Sequence, residues 1–177
     1  MKTNTIKLAP AEFTDIDVIG INSSLADYKL AWFINNKLSF KLARKEDIEE
    51  DGAEYAFYLY DKRVHGEGEA YDFVSLLHKG TYWRTTKPRI DFLLVIRNSN
   101  DAEKMDSILK GIREIPGVGH AFFMDPQSDT SLAYILEVIE VHENDVVEAK
   151  GMLANLAAVR EKVMKREELR QKLITQS

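Results

Sequence analysis

Cysteine is absent from the chain, which removes disulfides, thiolate nucleophiles and Cys-ligated zinc or iron–sulfur centres together. Such a composition fits a reducing compartment. Long apolar stretches are missing too: "FLLVI" typifies the runs present, far short of the ~20 residues that span a bilayer. The N-terminus, "MKTNTIKLAP", has an early lysine but no apolar segment behind it, so it does not read as a secretory leader. Nor is there an excess of positive charge. The net charge of −5 speaks for solubility and weighs against a nucleic-acid or anionic-membrane surface, since both need concentrated Lys and Arg. Internal repeats, low-complexity tracts and flexible linkers are not seen either. What is present is an ordinary globular composition, 45% hydrophobic and 30% charged over 177 residues, enough for about one domain with its own core. The default compartment is the cytoplasm.

Periodicity supplies the elements. "TIKLA" (5–9) alternates as a short strand that Pro10 stops. "TDIDVIGI" (14–21) fits either a short helix or an extended segment. Residues 24–38 predict a helix, with Ser24 and Asp27 spaced as a capping box. Its apolar residues, among them Leu25, Tyr28, Leu30, Trp32, Phe33 and Ile34, spread around the whole circumference, and such a helix is buried on more than one side. "LSFKLAR" (38–44) alternates with Leu38, Phe40 and Leu42 on one face. "YAFYLY" (55–60) and "AYDFVSLLH" (70–78) flank the Gly-containing "DKRVHGEGE" and predict an antiparallel hairpin, which "TYW" (81–83) extends or re-pairs. "IDFLLVI" (90–96) is apolar enough for a central strand covered on both faces.

A helix over 100–115, N-capped by Asn100 or Asp101, ends at Pro116-Gly117, and "VGHAFFM" (118–124) follows as a strand. "SLAYILEVIE" (131–140) reads as a last strand, and a long helix runs from about Asn144 to Leu173. In that helix Ala149, Met152, Leu156, Val159 and Val163 repeat at spacings of 3, 4, 3 and 4, a coiled-coil-like seam. The class these elements define is α+β: a mostly antiparallel sheet of about five to seven strands, helices on one face, and a long C-terminal helix. Residues 1–142 form the α+β domain and 143–177 an amphipathic helical extension.

Five segments, in order, carry a resemblance: "TIKLA", "IDVIGINSSLADYKLAWFIN", "LARKEDIE", "IDFLLVI" and "IREIPGVGHAFFMDP". Over about residues 5–140 the chain resembles the IPExxxVDY family, a group of small bacterial proteins named for a short internal motif. The helix "DYKLAWFIN" is the most specific part of the match. Ile90-Asp91-Phe92 stands where the motif has Val-Asp-Tyr, and Arg84-Thr85-Thr86 where it has Ile-Pro-Glu. The resemblance implies no activity, cofactor or catalytic residue.

Among the polar residues, Asp91 stands out at the start of an apolar strand, where a carboxylate needs a partner. Arg89 lies two residues away on the same strand face, and Arg84 can reach it from a neighbouring strand. The functional reading is an acid or a ligand anchor, with His120 added to the site; the structural reading is an ion pair at a strand end or edge. The histidines His65, His78, His120 and His142 lack metal-ligand spacing, so neither a metal nor another cofactor is expected. His65, Glu67 and Glu69 sit on a hairpin tip. No nucleophile and base pair up, and no catalytic residue is assigned. The sheet aromatics Tyr55, Phe57, Tyr58, Tyr60, Tyr71 and Phe73 are not set among Lys and Arg, which leaves core packing as their use.

The functional expectation is a non-enzymatic interaction module of the cytoplasm. It associates with a second copy of itself, or with another protein, through Tyr28, Trp32, Met152, Leu156, Val159 and Val163. The C-terminal helix then covers the spare flank of the Trp32 helix, from the same chain or from its twin. The alternative is a small-ligand binder or enzyme with a site near Asp91, Arg89, Arg84 and His120.

Overall fold

The computed structural model describes residues 13–65 and 67–175, with residues 159, 163 and 166–175 described by backbone alone. The strand expected at 5–9 lies outside them. The chain divides into two compact units, Met1–Glu140 and Val141–Ser177. In chain order the elements are β1 (Ile16–Ser23), α1 (Asp27–Leu38), β2 (Ala43–Arg44), β3 (Ile48–Glu50), β4 (Ala53–Tyr55), β5 (Phe57–Asp61) and β6 (Ala70–Ser75). They continue with β7 (Leu77–His78), β8 (Thr81–Tyr82), β9 (Phe92–Arg97), α2 (Ala102–Arg113), β10 (Val118–Met124) and α3 (Thr130–Thr175).

The fold is α+β. Six strands form one antiparallel sheet in the order β10-β1-β9-β6-β5-β2, and β3-β4 and β7-β8 are separate two-stranded ribbons. β9 lies in the middle, as its unbroken apolarity predicts. Alternation sorts the side chains to two faces. Ile19 and Ile21 of β1, Phe92, Leu94 and Ile96 of β9, and Tyr71 and Phe73 of β6 lie in one cluster with Leu30 and Ile34 of α1 and Ile108 and Ile112 of α2. Burial of this kind stabilises by about 1.5–3 kcal/mol per large side chain. Of the six aromatics singled out between 55 and 73, Phe57, Tyr58, Tyr71 and Phe73 are buried in the sheet, Tyr55 is buried on the β3–β4 ribbon, and Tyr60 is partly buried.

The second face is buried as well. Val18, Leu93, Val95, Val74 and Phe57 are hidden from water without belonging to the cluster beneath α1 and α2. Asp72 also lies on this face, fully buried, with its Oδ2 3.2 Å from Nε of Arg97. Arg97 is the cross-strand neighbour of Ala70, so the pair is diagonal across β6 and β9.

The segment 131–140 is a correction. It is not a strand but the opening of α3, which starts at Thr130 rather than near Asn144. Leu132, Ile135, Leu136 and Ile139 are buried at helical spacing. Asp129 accepts from the backbone N–H of Lys87 at 2.7 Å, and Tyr134 donates to Glu50 beneath the Arg84 guanidinium. These bonds fix the first turns against segments 84–88 and 48–55.

The capping box at Ser24 is likewise not formed. The cap position is Ala26, without a side-chain bond, because Asp27 is engaged elsewhere: it accepts from Tyr58 Oη at 2.7 Å and from Arg44 at 2.9 Å. Burial and the bond to Asp27 push the Tyr58 phenol up to about 12. "LSFKLAR" contributes only Ala43 and Arg44 to the sheet. The stretch before them is held instead by Asn35 of α1, whose side chain bonds both the N–H and the carbonyl of Leu42. Asp101 caps α2 as expected, accepting from Lys104 N–H.

One ionic knot ties α2 to the β5–β6 hairpin. Glu69 accepts from Lys104 and, at 3.1 Å and 2.7 Å, from Lys62 and the Tyr71 hydroxyl. Burial opposes its charge, but these donors prevail and hold its carboxyl down at about 2. A carboxyl lowered by folding contributes stability that is present above its ordinary value, 4.5, and is lost as pH falls toward 2. Acid titration of the melting temperature is therefore expected to show a fall across that window. The fall should flatten in Glu69→Gln, and an unchanged acid limb in that variant contradicts the assignment.

Candidate functional site

The register of β1, β9 and β10 builds a polar cluster at one end of the sheet. Asn22 of β1 lies opposite His120 of β10. On its other side Asn22 donates from Nδ2 to the carbonyl of Arg89 at 3.2 Å and accepts on Oδ1 from the N–H of Asp91 at 3.1 Å. That N–H is also 3.0 Å from the carbonyl of Ile21. The Asp91 carboxylate accepts from the Ser23 N–H at 3.1 Å and from the Tyr82 hydroxyl at 2.7 Å. Arg89 lies over the Tyr82 ring, 5.0 Å from its centroid. The bond to Asp91, with some burial, holds the Tyr82 phenol above its ordinary value.

Three of the four residues singled out as a ligand site, Asp91, Arg89 and His120, thus meet around Asn22. Arg84 does not. It stacks on Tyr134 at 4.6 Å and stands 4.0 Å from Asp51. Nor is Asp91 in an ion pair with either arginine: a phenol and a backbone amide meet its charge, while Arg89 faces the ring of that phenol.

Beside this cluster lies an open depression of about 610 Å³, lined by Asn22, Pro88, His120, Phe122, Arg113 and the strand backbone around Gly119. Two local features shape it. A bulge shifts the β1–β10 register between Asn22 and Ser23, leaving Gly119 without an opposite number, and a Cβ there would meet only the Asn22 carbonyl at 3.7 Å. In addition, β10 is an edge strand. Ile21 directs its carbonyl to the β9 side, so its opposite residue on β10, Ala121, turns its backbone groups to the free edge. Arg113 reaches that edge from the last turn of α2 and donates Nε to the Ala121 carbonyl at 2.7 Å.

Sequence reasoning missed Asn22, Tyr82 and Arg113. Their partners are 67, 9 and 8 residues away in the chain, and only the register brings the first of these into reach. A basic residue in the last turn of α2 reads simply as a complement to the helix dipole.

The expected interface residues fall on exposed surface. Tyr28 and Trp32, one turn apart on the outer side of α1, are 61% and 60% exposed. The flank of the Trp32 helix that was expected to be covered is open to solvent in the single chain. In the second unit, Met152, Leu153 and Leu156 are 66%, 67% and 57% exposed. The side chains of Val159 and Val163 lie outside the described residues.

Among the described residues no three His, Asp or Glu are grouped to hold a metal ion, and no helix is long and apolar enough to cross a membrane. Compared with family models, curated proteins and solved structures, the chain shows no significant match to any.

Proposed function

We propose that the protein is a self-associating module whose C-terminal helix pairs with that of a second copy, the two helices running antiparallel. One observation carries the reading: Met152, Leu153 and Leu156 form an apolar ridge that stays in water on a helix with no other element in its unit. A helix draws most of its stability from burying such a face. The 3-4 spacing of positions 149 to 163 is the spacing that packs against another helix.

Charge sets the direction. From 140 to 148 the sequence has Glu140, Glu143, Asp145 and Glu148 and no Lys or Arg; from 160 to 172 it has six Lys or Arg against three Glu. A parallel pair lays acid on acid and base on base. An antiparallel pair with its two-fold axis near Leu156 lays acidic turns over basic ones and sets position 149 across from 163. Kinship with the IPExxxVDY proteins and a cytoplasmic setting belong to the same proposal, the first supported by "DYKLAWFIN" and the second by the absence of cysteine.

Because the chain has no native thiol, introduced cysteines report cleanly. Ala149→Cys and Val163→Cys, oxidised alone, are expected to stay uncrosslinked; mixed, they should give a 149–163 disulfide dimer. Homodisulfides from either variant alone overturn the antiparallel direction. No crosslink in any combination overturns the pairing itself.

A further inference from the structure

We infer that the depression at the start of β10 is a binding site for a small oxyanion, the carboxylate or phosphate group of a small molecule. This does not depend on how α3 associates. The chain is acidic overall, yet the described lining of this depression holds Arg113 and His120 and no carboxylate, while Arg89 and one carboxylate, Asp91, stand in the neighbouring cluster. That carboxylate is already met by Ser23 N–H and the Tyr82 hydroxyl.

Arg113 uses Nε on the Ala121 carbonyl, which anchors the plane of its guanidinium at the wall of the depression. Its two Nη groups have no protein partner among the described residues, and neither does the His120 ring. Ala121 turns its N–H to the same edge as the carbonyl that Arg113 holds. A guanidinium fixed by one bond, with its outer donors free, is set up for the paired hydrogen bonds that carboxylates and phosphates accept. Gly119 leaves the floor open where a side chain would project. Anchor, imidazole, backbone donor and space thus border one depression.

The reading that competes is that Arg113 only shields an edge strand from pairing with another chain. The two differ in what they require of added anions. The test is a 1H–15N titration of the full chain with inorganic phosphate and, separately, with acetate, at constant ionic strength set by sodium chloride.

Saturable shifts are expected at the Gly119 and Ala121 amides and at the Arg113 Nε, with at least tenfold weaker binding in Arg113→Gln. Glutamine can still donate to the Ala121 carbonyl, so the edge is kept. His120→Ala is expected to weaken phosphate binding, because the ring lines the same depression. Tighter binding of acetate than of phosphate assigns the site to a carboxylate ligand, and the reverse assigns it to a phosphate. Shifts that do not saturate, that scatter over the surface, or that persist unchanged in Arg113→Gln overturn the site and leave Arg113 as an edge cover.

Discussion

Replacing Asp72 by alanine is expected to lower stability by about 3–5 kcal/mol, the usual loss when one partner of a buried ion pair is removed. Asp72 is fully buried in β6 and Arg97 is only 12% exposed, so the guanidinium that loses this carboxylate has little water to turn to. For a chain of this size the change amounts to roughly 10 °C in melting temperature. The double replacement Asp72→Leu with Arg97→Met should recover most of the loss, because a well-packed apolar pair of similar volume is close to neutral against a buried ion pair. Thermal unfolding of the parent and the two variants checks this. A single variant within about 0.5 kcal/mol of the parent, the size of an ordinary surface change, contradicts it.

Gly117→Ala should follow closely, at about 2–4 kcal/mol, from two separate sources. Its φ of +95° is one that a side chain adopts only under strain, and a Cβ there would stand 2.8 Å from Cγ of Leu25. The carbonyl of the same residue receives Ser24 N–H at 3.1 Å and the Ser23 hydroxyl at 2.9 Å. Displacing it therefore loosens the junction between the α2–β10 turn and the start of α1. Gly119→Ala, two residues on at a position with room, serves as the control and should be nearly silent in stability. The check is urea unfolding, read as a lower midpoint at unchanged slope for Gly117→Ala alone. Equal midpoints for the two variants contradict the account.

Much of the sheet was legible because its signals are local. The aromatic and β-branched content of "YAFYLY" and "AYDFVSLLH", the apolar run at 90–96 and the Pro116-Gly117 stop each act within a few residues, and the strands and α2 formed where these placed them. The misreading at 131–140 has a physical cause. The buried stripe is Leu132, Ile135, Leu136 and Ile139, but Ala133, Tyr134 and Val138 fill the gaps in sequence, so the helical period is masked by apolar residues that are only partly buried. Neither the short run nor its β-branched content distinguishes a strand from a helix pressed on one side.

The polar sites were legible in part. Asp91 was recognisable as a carboxylate in need of a partner, but its partners depend on the pairing of β1 beside β9 and on Tyr82 from another ribbon. Charge alone pointed to the arginines. The Ser24 and Asp27 pattern failed for a related reason: Tyr58 and Arg44, brought up by the sheet, compete for the same carboxylate. Tertiary partners overrode the local motif in both cases.

The seam on α3, by contrast, was read from spacing, and the described part of it lies in water in the single chain. Sedimentation equilibrium of the intact chain and of Leu156→Glu is the most direct test of what that seam is for. The account expects twice the mass of one chain for the parent at micromolar concentration, and the mass of a single, still folded chain for Leu156→Glu. A parent that sediments as one chain contradicts it, as does a Leu156→Glu variant that keeps the doubled mass.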